Sequence, residues 1–341
     1  MYRASHDLYA RCAMNKQDTV KLLLKNKSKI PQQASAKAFA PVNIALCKYW
    51  GKRNQELNLP LTSSLSISLG TKGTTTEILC IDSYQDEITL NQQPIAASDD
   101  FSKKLSAFLN LFRDGKQCFR IDTVNTVPVA AGLASSASGF AALVLALDQL
   151  FQWQCTPQEL SILARLGSGS ACRSLWQGFV EWQQGQREDG LDSHGVPITI
   201  QWPQLCIGLL IMSSDKKAVS SREAMEITRQ TSILYRAWPE QVAHDLVLIK
   251  NAITQQNFVA LGCAAENNAL AMHATMLAAN PAICYSQPQT LTAMQQIWQL
   301  RQQGLAIYFT QDAGPNLKLL FQRKDLETVK NSFPALDVCE I

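Results

Sequence analysis

Histidine is scarce in this sequence, with four in 341 residues, and its ten cysteines are scattered with no C-x-x-C pair and no Cys/His clustering. That spacing excludes a zinc site and a disulfide framework. It fits reduced thiols buried as small hydrophobes in a cytoplasmic protein. No apolar run reaches the roughly 20 residues of a membrane-crossing helix, so no membrane partner is expected. Charge of one sign is also scarce: a formal net charge of +3 is too small to argue for nucleic acid. The basic excess lies in residues 1–33, where Arg3, Arg11, Lys16, Lys21, Lys25, Lys27 and Lys29 face only Asp7 and Asp18. Lacking the apolar core of a signal peptide, this stretch reads as a weakly ordered extension. Two familiar nucleotide signatures, G-x-x-x-x-G-K-[ST] and G-x-G-x-x-G, are missing as well.

What the chain does have is a dense run of small residues, PVAAGLASSAS, over Pro128–Ser138. Such a run can hold a phosphate only through backbone N–H groups and hydroxyls. Gly132 permits close backbone approach, and Ser135, Ser136 and Ser138 add hydroxyls just as an Ala/Leu run, Phe140 to Leu150, begins to read as a buried helix. The loop therefore sits at a positive helix end.

With 46% hydrophobic residues the chain can bury a large core. Strands are expected at Asn43–Leu46, Ser64–Leu69, Thr74–Ile81, Ile121–Val127, Ile198–Trp202, Cys206–Met212 and Leu305–Thr310. Phe101, Leu105, Phe108, Leu109 and Phe112 repeat at helical spacing, and Thr156-Pro157-Gln158-Glu159 has the layout of a capping box opening a helix over Pro157–Leu166. Further helices are expected at Ser221–Thr231, Glu240–Thr254 and Asn257–Ala279. Strands with interspersed helices, then a helical block closed by strand and turn, predict an α+β fold in two lobes around a cleft.

Three segments carry chemistry. Ala40–Arg53 sets Lys48 and Lys52 close together with Tyr49 and Trp50 between them; two cations near a strand end suit a diphosphate, and Asn43 can hold a neutral polar group. Gly167–Ser174 brings Arg173 near Ser168 and Ser170, and a guanidinium fork matches a carboxylate bidentately. In Gln311–Asn316, Asp312 stands on a turn stiffened by Gly314 and Pro315, where a carboxylate can accept a proton. Lys216, Lys217, Ser221 and Arg222 form a further cationic and hydroxylic group. His244 and His273 read as helix residues packed or hydrogen-bonded locally.

Taken together, APVNIALCKYWGKR, LPLTSSLSISL, AAGLASSASGFAAL, GSGSACRSLWQGFVEW and DAGPN resemble, in this order, the mevalonate diphosphate decarboxylase family of the GHMP kinase superfamily. The resemblance runs from about Ala40 to about Asn316. It implies a GHMP kinase-like fold with an N-terminal α+β lobe over residues 34–203, a ferredoxin-like C-terminal lobe over 204–341, and the site between them. It also implies ATP-dependent decarboxylation of mevalonate 5-diphosphate to isopentenyl diphosphate in isoprenoid biosynthesis, by a cytoplasmic homodimer. A decarboxylase of the monophosphate, or a small-molecule kinase of the superfamily, remains the alternative.

By the same resemblance Asp312 takes the proton of the tertiary hydroxyl, with Lys52 placed to pair with it, and Arg173 grips the carboxylate. Lys48, Tyr49 and Trp50 contact the diphosphate near Asn43, while Ser170, Ser221 and Arg222 anchor substrate. Gly132, Leu133, Ala134, Ser135, Ser136, Ala137 and Ser138 cradle the ATP phosphates with Lys216 or Lys217. A Mg2+ ion is held by ATP phosphates and serine hydroxyls. Cys47, inside the first motif, is a thiol-reagent target if exposed.

Overall fold

The computed structural model describes residues 14–115, 117–127, 135–215 and 217–339, apart from the side chain of Ser135. Residues 1–13 of the extension, Gly132, Leu133 and Ala134 of the small-residue loop, and Lys216 lie outside the described residues. Helix α1 (Lys16–Leu23) forms where a weakly ordered extension is expected. Asn15 and Asp18 close a capping box across its first turn, and Val20 is buried in the core below. The link that follows is tied down by Lys27, whose ammonium donates to the Trp153 carbonyl at 2.9 Å, and by the Trp153 indole, which donates to the Ser28 carbonyl at 2.7 Å.

The N-terminal lobe continues through β1 (Ser35–Cys47), the ribbon β2 (Lys52–Asn54) and β3 (Leu59–Pro60), β4 (Ser64–Ile81), β5 (Glu87–Leu90), β6 (Gln93–Ile95) and α2 (Asp100–Leu109). It is completed by β7 (Cys118–Asn125), α3 (Ser135–Phe151), α4 (Pro157–Gly167), β8 (Phe179–Trp182) and β9 (Gly195–Ile198). Among the described residues these strands form a seven-stranded sheet, β6-β5-β7-β4-β8-β9 with β1 along β4, and a separate β2-β3 ribbon. Two strands are expected where β4 runs unbroken. It pairs with β8 through Ser64–Ile67 and with β7 through Thr74–Ile81, and Gly70, at φ +57°, lets one strand serve both partners. The strand expected over Ile198–Trp202 stops at Ile198, because its partner β8 ends opposite it at Phe179.

The C-terminal lobe holds β10 (Leu205–Leu210), α5 (Ser221–Thr231), α6 (Trp238–Thr254), α7 (Phe258–Leu277), α8 (Pro288–Gln302), β11 (Tyr308–Gln311), β12 (Leu317–Gln322), α9 (Leu326–Ser332) and β13 (Asp337–Cys339). Its antiparallel sheet has the order β11-β12-β10-β13 with helices after its first and third strands, the ferredoxin-like arrangement.

Each lobe has its own apolar core, one around Leu147 and Phe119, the other around Phe309 and Leu319. A third core joins the lobes, packing Val42, Ile44, Leu46 and Ile67 with Ile207, Trp238, Leu261 and Tyr308. The far end of β1 and the end of β11 therefore meet across packed side chains. No described helix is long and apolar enough to cross a membrane.

Candidate active site

Asp312 lies just past β11, on a turn closed by the Gly314 N–H donating to the Asp312 carbonyl at 2.7 Å. Two ammoniums reach its carboxylate: Lys48 from the end of β1, 2.7 Å from Oδ1, and Lys318 from β12, 2.9 Å from Oδ2. Both lysines are buried, at 2% and 1% exposure, whereas the Asp312 side chain keeps 23%. Burial alone would push that carboxyl up, but the Lys318 and Lys48 charges hold it well below the usual carboxylate range. Burial lowers Lys48 to about 8 despite the support of Asp312. The turn is steadied by His273, whose Nε2 lies 3.1 Å from the Asp312 carbonyl, and by Gln311, which donates to the Gly314 carbonyl at 2.9 Å. Burial lowers His273 to about 4, so it meets that carbonyl as a neutral ring with its N–H on Nε2.

The structure corrects the lysine pairing expected from the sequence. Lys52 does not reach Asp312; its ammonium donates to Asn58 Oδ1 at 2.6 Å, and Asn58 in turn donates to the carbonyls of Arg165 and Leu166. Lys48 takes the place beside Asp312 because β1 ends at Cys47 and its next residue turns into the seam. There the Lys48 N–H donates to Asn268 Oδ1 at 2.7 Å, and Asn268 donates to the buried Asp245.

Arg173 is 2% exposed and lies within electrostatic reach of Asp312. Its fork donates to the Ser64 hydroxyl and, at 3.3 Å, to Asn43 Oδ1, and it lies 5.9 Å from the ring centre of Trp182. Asn43 is held by donating to Ser174 Oγ at 2.6 Å and to the Ser170 carbonyl at 3.2 Å. No described carboxylate is within ion-pair distance of Arg173, and its Nε has no partner. A buried guanidinium facing only neutral acceptors is costly until an anion arrives.

At the rim, Lys52 is lowered to about 8 by burial, and then by the charges of Arg222 and Lys16. Lys16, at the start of α1, was not among the expected site residues. Tyr49 packs against Trp182 at 4.7 Å between ring centres, with its buried hydroxyl unpartnered. Trp50 is buried, and its carbonyl accepts from the Tyr235 hydroxyl at 2.9 Å. Gly51 follows at φ +125°, where a Cβ would fall on that hydroxyl. Lys217 donates to Ser221 Oγ at 3.4 Å at the head of α5, whose N-cap is Ser220. Across the cleft, α3 starts at Ser135; Ser136 Oγ lies 3.4 Å from Ser168 Oγ, and the buried Ser138 shares a 2.6 Å hydrogen bond with Thr74. Cys47 is buried with its thiol pushed up, which removes it as a reagent target.

Lys318 is the group that sequence reading missed. Its signal was available: a lysine inside the apolar strand NLKLLF has to be buried, and a buried ammonium needs a carboxylate.

An α+β lobe joined to a ferredoxin-like lobe, with cations gathered around one aspartate at the seam, defines a GHMP kinase-like protein. The model of the diphosphomevalonate decarboxylase-like N-terminal domain matches residues 40–195, and that of the mevalonate 5-diphosphate decarboxylase C-terminal domain matches residues 207–337. The chain belongs to the diphosphomevalonate decarboxylase family. It is 38% identical to the diphosphomevalonate decarboxylase of Aspergillus fumigatus, over 87% of this chain and 79% of that one, and 35% identical to that of Saccharomyces cerevisiae, over 84% and 78%. Among solved structures, the Staphylococcus aureus mevalonate diphosphate decarboxylase aligns with a TM-score of 0.84 at 35% identity, covering 90% of this chain and 96% of that one. MDDEF in complex with MVAPP, AMPPCP and magnesium aligns at 0.83 with 39% identity and the same coverage.

Proposed function

We propose that this chain converts mevalonate 5-diphosphate and ATP into isopentenyl diphosphate, ADP, phosphate and carbon dioxide, with the cleft residues in the following roles. The observation that carries these roles is the buried, carboxylate-free Arg173 within electrostatic reach of the lysine-held Asp312. One group is ready for an incoming carboxylate, the other for a hydroxyl proton. Arg173 grips the substrate carboxylate in its fork and keeps the bond to be broken aligned. Asp312 accepts a hydrogen bond from the tertiary hydroxyl and takes its proton as the oxygen attacks the terminal phosphorus of ATP. Phosphoryl transfer passes through a loose transition state, so positioning matters more than basicity, and a carboxylate of low proton affinity is adequate. Loss of the new phosphate then draws the electrons of the carbon–carboxylate bond into the alkene.

Lys52, Arg222, Ser221 and the Tyr49 hydroxyl receive the substrate diphosphate at the rim. The N-terminus of α3, with Ser136 and Lys217, faces the ATP phosphates. Among the described residues no group of three or more His, Cys, Asp or Glu could hold a metal ion. This donor set fits magnesium held mainly by phosphate oxygens and water near Ser136, where the ion would neutralise charge on the nucleotide.

The test is a coupled assay with mevalonate 5-diphosphate, ATP and magnesium, measuring ADP and carbon dioxide together. Equal yields of the two are expected, and ADP without gas would mean a kinase. Asp312→Asn should lose on the order of 10³-fold in kcat while still binding both ligands.

A further inference from the structure

Lys318 is a buried charge to which proton transfer, substrate anchoring and nucleotide binding assign nothing. It lies on β12 opposite Thr310 of β11, two residues before Asp312, between the fully buried Leu317 and Leu319. Its ammonium has two acceptors: Asp312 Oδ2 at 2.9 Å and, at the limit of contact, the Asn316 carbonyl at 3.5 Å. Neutralising one part-exposed carboxylate takes one lysine, and Lys48 already does so at Oδ1. A second ammonium in a dry seam is costly unless it serves a geometric purpose.

The two lysines differ in what they are fixed to. Lys48 comes from the N-terminal lobe and shares its ammonium with the Ala45 carbonyl at 2.8 Å. Lys318 stands on the strand paired with β11, which leads into the Asp312 turn, so its contact stays in register with that turn. A carboxylate rotates about one terminal bond, and a cation anchored beside it on Oδ2 fixes that rotation. Each oxygen offers about two acceptor sites, so Oδ1 keeps one free for a substrate hydroxyl after Lys48 is satisfied.

We propose that Lys318 is a positioning residue for phosphoryl transfer: by holding Oδ2 it sets Asp312 so that Oδ1, beside Lys48, is the oxygen that receives the substrate hydroxyl proton. In that step the hydroxyl O–H bond breaks and an O–H bond forms on Oδ1. The freed oxygen pair bonds to the terminal phosphorus of ATP, and the bond from that phosphorus to the bridging oxygen breaks to release ADP. The role presupposes the decarboxylase reaction given above. The Lys318 charge also helps keep the carboxyl ionised.

Lys318→Met, nearly the same length and uncharged, tests this. Expected are a fall of about 10²-fold in kcat, KM for both substrates within about threefold, and an acid limb of the kcat profile at higher pH, since the carboxyl now protonates more easily. Lys318→Arg should restore most of kcat. A methionine protein with kcat within about threefold of the parent, or with a lower kcat but an unmoved acid limb, overturns the proposal. A second readout needs no turnover: carbon-13 titration of aspartate-labelled protein, with the Asp312 signal assigned by its loss in Asp312→Asn. The carboxyl should titrate higher in Lys318→Met than in the parent, and an equal titration counts against the role. If the parent releases no carbon dioxide, the functional reading falls while this titration still judges the Lys318 contact. Lys318→Gln substitutes if the methionine protein fails to fold; if neither neutral variant folds, Lys318 is a packing charge and the proposal falls.

Discussion

Lys48 and Lys52 are each lowered to about 8 in the free protein, chiefly by burial, but they face different partners. Lys48 keeps its place beside Asp312, while Lys52 sits at the rim where a diphosphate would restore its affinity for a proton. Above pH about 8 both lose charge in the free protein, and Lys48 alone loses it once substrate is bound. The kcat/KM for mevalonate 5-diphosphate should therefore fall with a limiting slope of about two, and kcat with a slope of about one. Rates measured from pH 6 to 10 check this; a kcat/KM limb no steeper than that of kcat contradicts it, and Lys52→Arg should reduce it to a single step. Asp312, Arg173 and the lysine pair could be picked out in the sequence because a turn aspartate, a fork beside serines and paired cations are unusual combinations. Which lysine meets Asp312 could not, because that depends on β1 ending at Cys47 and on an asparagine 220 residues away holding the next N–H.

The helices fall into two kinds, those with a local signature and those without. Helix α4 has one: Thr156 Oγ1 accepts from the Glu159 N–H at 3.2 Å, and Glu159 accepts from the Thr156 N–H at 2.7 Å. Thr156→Ala should cost about 1 kcal/mol in urea unfolding and leave kcat unchanged, since the helix start is exposed and its side-chain contacts are with Glu159. Helix α5 forms over Ser221–Thr231 as its polar start and spacing predict. Helix α8 has no expectation from the sequence, because its inner stripe, Thr290, Ala293, Met294 and Ile297, is narrow and is set among five glutamines. The sequence of β4 predicts two strands where one runs. Two glycines, Gly70 and Gly73, punctuate its sequence, while the continuity comes from β1 pairing along nearly its whole length.

At the scale of the molecule, the core that links the lobes contains side chains from β1, β4, β10, α6, α7 and β12. Two lobes divided by a wet cleft would unfold separately, whereas lobes sharing a dry core unfold together. Unfolding in urea should accordingly give one transition with coincident midpoints by tryptophan fluorescence and far-ultraviolet circular dichroism; midpoints that separate would show that the seam adds little. The α+β class and the two-lobe plan were legible from the order of elements. The shared core was not, because the residues on either side of it are ordinary aliphatics whose partners are more than 100 positions away.

The Ala45 carbonyl accepts from both the Lys48 ammonium and the Thr310 hydroxyl, one from each half of the protein. A single oxygen thus registers the alignment of the halves and passes it, through the Lys48 ammonium, to Asp312. Any sideways slip at this junction would blunt turnover before it disturbed a contact with either reactant, which makes catalytic rate a finer gauge of the protein's integrity than ligand affinity.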